Sequence, residues 1–345
     1  KPQEPPARII VMTWKGEIIG AGMTRFGKFP EQTISDLAQP AILSALQDAG
    51  VSPRDIQAAY CGSVYSGMAP GQRILRDLGM TGIPIHNVEN ACSSGSTALR
   101  EALLSIEAEV YETVLVFGVE QLSKFGGGAV PLNHDDVEVA QGMMMPALYA
   151  MRAQRHMVDF GTTIEQLAMV SVKNRRNGCL NPCAQFQKEC SLDEVLKSRP
   201  VADPLTLFHC CPTGDGAAAI VLSSPSRSNR FAGRPIKVLA SVLTSGFYKT
   251  GFRDMSRSEL TIRAAKEAYE QASLGPEDID LAEVHDAFTI AEILYYEALG
   301  FCEAGEGGRF VESGASEIGG RLPVNPSGGL LARGHALGAT GIAQV

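Results

Sequence analysis

Apolar residues recur three and four apart at Ala98, Leu99, Ala102, Leu103 and Ile106, which predicts a helix with one buried stripe. The run at 113–119 that follows is almost unbroken in its hydrophobicity and reads as a strand. The run at 215–222, Asp-Gly-Ala-Ala-Ala-Ile-Val-Leu, reads as another. Further along, the pattern predicts a helix over 260–271, a strand over 280–284 and a helix over 290–299. Strands alternating with helices imply an α/β architecture, with sheets covered by helices and functional loops at strand ends.

Two stretches 223 positions apart share a plan. Residues 45–59 match residues 268–282 at Ala45/Ala268, Ala49/Ala272, Pro53/Pro276, Asp55/Asp278, Ile56/Ile279 and Ala59/Ala282. Each stretch ends a helix, turns at proline and enters a strand, and each is followed by an Asn-led loop of small residues, 90–96 in one case and 325–329 in the other. An internal duplication is the reading. It divides the chain into an N-terminal extension (1–15), a first half (16–124 with 205–228), an inserted loop domain (125–204) rich in Met, Gly and Asn, and a second half (229–345). Equivalence of the halves predicts a helix starting near Thr340 and a further strand pair, so the chain is expected to lack a C-terminal piece.

The composition narrows the function classes. At 345 residues, with 45% hydrophobic and 20% charged residues, the chain suits one large or two fused domains and has no apolar run long enough to cross a bilayer. A net charge of −8 argues against nucleic acid as a partner. Eight cysteines in a chain of this length do not make a small disulfide framework, so a reducing, cytoplasmic setting is expected, or a peroxisomal one in a eukaryote. Cys179, Cys183 and Cys190 lack a CxxC pair and a nearby histidine, so no metal site is expected there.

Cys92 carries the most chemistry. It lies in Asn90-Ala91-Cys92-Ser93-Ser94-Gly95-Ser96, where a strand turns into a helix, and backbone N–H groups with a helix dipole aimed at a thiol favour its thiolate. A buried structural cysteine is the alternative. His335, in Gly334-His335-Ala336-Leu337-Gly338-Ala339-Thr340-Gly341, is the candidate base, because imidazole takes a thiol proton and returns it. His285, at a predicted strand end in Val284-His285-Asp286-Ala287-Phe288, is the candidate donor to a developing oxyanion. His86, His134, His156 and His209 read as solvated or core residues, and Asp215 as a turn before a buried strand.

These segments, with Cys-Cys-Pro-Thr-Gly-Asp-Gly-Ala-Ala-Ala at 210–219 and Asn-Pro-Ser-Gly-Gly at 325–329, resemble the thiolase superfamily, specifically thiolases of the sterol-carrier-protein type and their archaeal and bacterial acetyltransferase relatives. The resemblance runs from about Ile18 to Val345. It implies a thiolase fold, two similar α/β halves in a layered α-β-α-β-α core with a loop domain inserted in the first, assembled as a homodimer or homotetramer. It also implies that Cys92 is acylated by an acyl-CoA or 3-oxoacyl-CoA, that His335 deprotonates it, and that His285 replaces the Asn of the NEAF motif. Coenzyme A would be a substrate bound partly by the loop domain, with no tightly bound cofactor.

The sequence departs from the family pattern in two places. Ala287 stands where many relatives read HDCF; the C-terminal region where other thiolases carry a CxG cysteine falls in the expected missing piece, so the second acid/base group is not identified. Cys302 offers only the residue type. Ala336 replaces the usual proline of the GHP loop. A carbon–carbon lyase or condensing enzyme working with a small partner protein, and a non-catalytic acyl-CoA-binding protein, are the alternatives to a thiolase-type acyltransferase.

Overall fold

The computed structural model describes residues 14–126, 128–231, 234–247 and 254–345, and the expected N-terminal extension lies almost wholly outside them. The first half runs β1 (Glu17–Met23), α1 (Ile34–Ala49), β2 (Ala58–Gly62), α2 (Pro70–Asp77), β3 (Ile85–Val88), α3 (Ser94–Glu107) and β4 (Thr113–Gln121). The inserted stretch forms α4 (Val137–Ala140), α5 (Met145–Phe160), α6 (Ile164–Leu180), α7 (Leu192–Leu196) and β5 (Pro200–Ala202), and β5 pairs with β6 (Leu205–Thr206). Then come β7 (Asp215–Ser223), α8 (Pro225–Ser228), β8 (Ile236–Lys237), α9 (Glu259–Ala272), α10 (Thr289–Ala298), α11 (Gly307–Glu312), α12 (Gly329–Ala332) and α13 (Leu337–Ala343).

The main sheet has the order β3-β2-β4-β7-β1-β8, parallel from β3 to β4 and antiparallel beyond. Its central strands are unbroken apolar runs because both faces are covered. Leu115, Phe117 and Val119 of β4 pack with Ala217, Ala219 and Val221 of β7 under α1. On the opposite face Val114, Val116, Ile220 and Leu222 pack with Ala98, Leu103 and Ile106 of α3 and Ile342 of α13. Each fully buried Leu, Ile or Phe contributes about 1.5–3 kcal/mol, so this sandwich is the first half's main source of stability.

The two matching stretches share backbone detail. Helices α1 and α9 both end at a left-handed residue, Gly50 (φ 65°) and Ser273 (φ 55°), and the turns at Pro53–Asp55 and Pro276–Asp278 follow. Asp55 accepts from the Ser52 N–H at 3.0 Å, as Asp278 accepts from the Gly275 N–H at 2.8 Å. The Ala59 N–H donates to the Pro84 carbonyl, and the Ala282 N–H to the Pro323 carbonyl. The halves then diverge. In place of the expected strand over 280–284, the described residues show a single parallel bridge between Ala282 and Val324. A strand is stabilised by neighbours, and only the short 322–325 segment lies beside this one. Helix α13 begins three residues before the expected Thr340.

Glycines set the approach of the C-terminal loop to the sheet. A Cβ on Gly95 would lie 2.6 Å from the Gly338 carbonyl oxygen, one on Gly341 would lie 2.6 Å from the Ser96 nitrogen, and one on Gly118 would clash with Gly338 outright. With no side chains between them, α13 lies directly on α3 and β4. The loop that carries His335 is thereby brought to the helix that begins beside Cys92.

Candidate active site

Cys92 sits on a tight turn before α3. Ala91 has a left-handed backbone (φ 46°), which a residue with a Cβ adopts at a cost of about 1 kcal/mol or more, and the surroundings enforce it. The Ala91 N–H donates to the Glu89 carboxylate at 2.8 Å, Ser94 Oγ donates to the Ala91 carbonyl at 2.7 Å, and Asn90 Nδ2 donates to Thr97 Oγ1 at 2.9 Å. Ser93 gives α3 no side-chain cap, so the start of the helix is open toward the thiol.

The two expected histidines are there as well. The Cys92 sulfur and a ring nitrogen from each of His285 and His335 all lie within 4.8 Å of one another. The imidazoles meet edge to face, with centroids 4.9 Å apart at 85°. No other cluster of His, Cys, Asp and Glu among the described residues is so arranged, and Cys179, Cys183 and Cys190 do not gather.

The tautomer of His335 follows from its neighbours. Thr340 Oγ1 donates its one hydrogen to the Ala336 carbonyl at 2.9 Å and lies 2.7 Å from His335 Nδ1. With the Thr340 hydrogen on that carbonyl, Nδ1 carries the proton donated to Thr340 and the lone pair is on Nε2. The ring is held as a base.

The electrostatics correct one expectation from the sequence. Burial pushes the Cys92 thiol up to about 11, opposed by the Cys92 backbone N–H and helped by the nearby Glu120 carboxylate. His285 is lowered to about 4 by burial and by the Arg333 guanidinium. His335 is lowered well below 6.5 by burial, then by His285 and Arg333. At neutral pH the resting site is a thiol facing two neutral imidazoles.

Residues that the sequence reading passed over hold this geometry. Asp286 accepts from the Leu330 N–H at 2.7 Å, the Leu331 N–H at 3.3 Å and Asn174 Nδ2 at 2.7 Å, tying the His285 segment to α6 and to α12, which precedes the His335 loop. Burial and the Glu292 carboxylate raise Asp286 to about 7. Asn325 Oδ1 receives the Val284 N–H at 2.8 Å, while its Nδ2 donates to Glu292 at 2.6 Å, and Lys173 pairs with Glu292 at 2.7 Å. Glu120, at the end of β4, accepts from the N–H groups of Val64 and Tyr65 at 2.8 and 2.9 Å. Asp286 stands beside His285 in a flagged segment, whereas Glu120 and Glu292 stand in none, and the importance of all three comes from burial.

The other candidates lie elsewhere. Asp215 is fully buried and accepts from the Phe29 and Ser123 N–H groups at 2.7 and 2.8 Å, a structural part. His156 is buried between Thr162 and Glu297, the His209 ring binds Thr206, and His86 stacks on Tyr60. Cys302 packs with the side chains around α10 and α11, where burial raises it to about 12. Tyr149 of α5 stacks on Phe288 with centroids 4.4 Å apart, bringing the inserted segment to the site.

Comparison with known proteins agrees with this geometry. The thiolase N-terminal domain matches residues 17–226, and a thiolase C-terminal domain-like region matches 248–345. Similar proteins include the benzoylsuccinyl-CoA thiolase subunit BbsB of Thauera aromatica (43% identical, 95% of this chain and 86% of that one) and an acetyl-CoA acetyltransferase of Methanothermobacter thermautotrophicus (43%, 95% and 88%). Human sterol carrier protein 2 is 40% identical over 95% of this chain, which spans 64% of that protein. A solved structure titled Ltp2-ChsH2(DUF35) aldolase superposes with a TM-score of 0.84 at 28% identity, covering 95% of this chain and 88% of that one. Two matching domains, relatives at about 40% identity and a cysteine turn facing two histidines place this chain in the thiolase family.

Proposed function

We propose that the protein is a thiolase-type acyltransferase acting on acyl-CoA and 3-oxoacyl-CoA thioesters through an acyl-enzyme on Cys92. His335 Nε2 takes the thiol proton as Cys92 Sγ bonds to the carbonyl carbon, and His285 donates its ring N–H to the oxygen that becomes negative. The Cys92 backbone N–H, at the open start of α3, serves the oxyanion of the second half-reaction. Coenzyme A enters and leaves as a substrate, and no tightly bound cofactor is required. The observation that carries the reading is the gathering of the Cys92 sulfur with a ring nitrogen from each of His335 and His285 within 4.8 Å, with His335 Nδ1 2.7 Å from Thr340 Oγ1.

Mass spectrometry of peptides after incubation with acetyl-CoA or acetoacetyl-CoA tests this. An acyl adduct on Cys92 is expected, lost in Cys92→Ala and much slower in His335→Ala, and no adduct with either substrate refutes the mechanism. A homodimer is the proposed assembly, because β3 is an edge strand of the main sheet whose outer edge a second copy can pair. Among the described residues no helix is long and apolar enough to cross a membrane, and the eight cysteines stand free, which supports a reducing, cytoplasmic setting. A second reading, carbon–carbon cleavage with a small partner protein, is favoured by Ala287 and by the aldolase neighbour. Adduct formation without release of a new acyl-CoA would select it.

A further inference from the structure

Carbon–carbon bond making or breaking at Cys92 needs a second group to move the α-proton of the acetyl unit, and Ala287 cannot do so. The residue across from Ala287 is Cys211. Its backbone N–H donates to the Ala287 carbonyl at 2.9 Å, and Cys210 beside it pairs antiparallel with Phe288. Two residues on, Thr213 pairs in parallel with His335, and the Gly214 N–H donates to the His335 carbonyl at 3.3 Å. The strip 210–214 thus lies along both histidine segments. Side chains alternate on an extended strip, and the Cys210 sulfur turns to the Thr206 carbonyl at 3.5 Å, so the Cys211 side chain lies on the opposite side of the strip.

We propose that Cys211 is the second acid/base thiol of this site, taking the place that relatives give to the cysteine of HDCF. The assignment rests on the Cys92 acyl-enzyme reading. Burial, with Asp286 and Cys92 nearby, holds Cys211 well above its ordinary range, so it enters the cycle as a thiol.

In the cleavage direction, Cys92 Sγ bonds to the keto carbon as His335 takes its proton. The carbon–carbon bond breaks with its electron pair on the acetyl α-carbon, and the Cys211 S–H proton passes to that carbon, leaving acetyl-CoA and a Cys211 thiolate. The thiolate then takes the proton of the incoming coenzyme A thiol, whose sulfur attacks the acyl-enzyme. Cys92 leaves as its thiolate and regains its proton from His335. Both cysteines and the histidine end as they began.

The test separates the two half-reactions in Cys211→Ser and Cys211→Ala. Acylation of Cys92 is followed by rapid quench and mass spectrometry, and α-proton exchange by deuterium uptake into acetyl-CoA from D2O, with acetoacetyl-CoA thiolysis alongside. Acylation is expected to stay within about tenfold of wild type while exchange and thiolysis fall about 10²–10⁴-fold, the range of a lost general acid or base. Adding Ala287→Cys to Cys211→Ser is expected to restore exchange at least tenfold, which a packing role would not allow. Exchange within about threefold of wild type in both variants, or acylation falling in step with exchange, overturns the assignment. An absent wild-type adduct overturns the acyl-enzyme reading and this assignment with it. A wild-type adduct with unaffected exchange in the variants overturns the Cys211 role alone.

Discussion

Replacing His335 by alanine removes the base from a thiol that burial holds at about 11. At pH 7 a thiol of that pKa is ionised about once in 10⁴ molecules, so acylation without a base is limited to that fraction. If water fills the vacated space and the thiol relaxes toward about 8.5, the ionised fraction rises to about one in 30. The expected loss of acylation rate therefore lies between about 30-fold and about 10⁴-fold at pH 7, in line with general-base contributions. Two signatures accompany it. In His335→Ala the rate climbs about tenfold per pH unit until the thiol titrates, whereas the wild-type rate is flat near neutrality, and added imidazole partly restores the variant. Rapid-quench mass spectrometry of the Cys92 adduct across pH 6–10 reads both. A variant within tenfold of wild type at pH 7, or one whose rate ignores pH, refutes the assignment.

Because His335 is lowered well below 6.5, its proton-accepting form persists as the pH falls through that value, so the acid limb of wild-type acylation belongs below pH 6.5; a midpoint at or above 6.5 contradicts the buried, neutral pair. Lys173 and Glu292 are 3% and 0% exposed, and Lys173→Met leaves the carboxylate buried and unpaired, a loss of about 3–5 kcal/mol in urea unfolding that Glu292→Gln added to Lys173→Met should partly relieve. If the double variant is no more stable than the single one, the pairing argument fails. Gly95→Ala puts a methyl 2.6 Å from the Gly338 carbonyl oxygen. Overpacking of about 1–3 kcal/mol outweighs the helix-propensity gain of at most about 1, so the melting temperature falls and acylation slows as His335 shifts; an unchanged melting temperature refutes the close-approach argument.

Local patterns made much of the molecule legible. The helix at 94–107 and the strands at 113–121 and 215–223 follow from periodicity, since each is buried on a regular set of faces that leaves its trace in side-chain type. Cys92 and His335 stood out because each sits in a run of small residues, and His285 because it ends a predicted strand, and the structure brings the three together. Where sequence reasoning expected the strand at 280–284, pairing decided otherwise, because strand formation depends on neighbours that periodicity does not count.

The sequence by itself determined the α/β alternation, the shared plan of residues 45–59 and 268–282 and the three groups with chemistry, because these are written in spacing and residue type. Only the tertiary structure decided their surroundings: that burial raises the thiol and lowers both histidines, and that His335 Nδ1 faces Thr340 Oγ1. It also decided that Cys211 lies across from Ala287, some 76 positions away in sequence. Burial, charge and hydrogen-bond direction are properties of the assembled surroundings, and no single segment of the chain contains them.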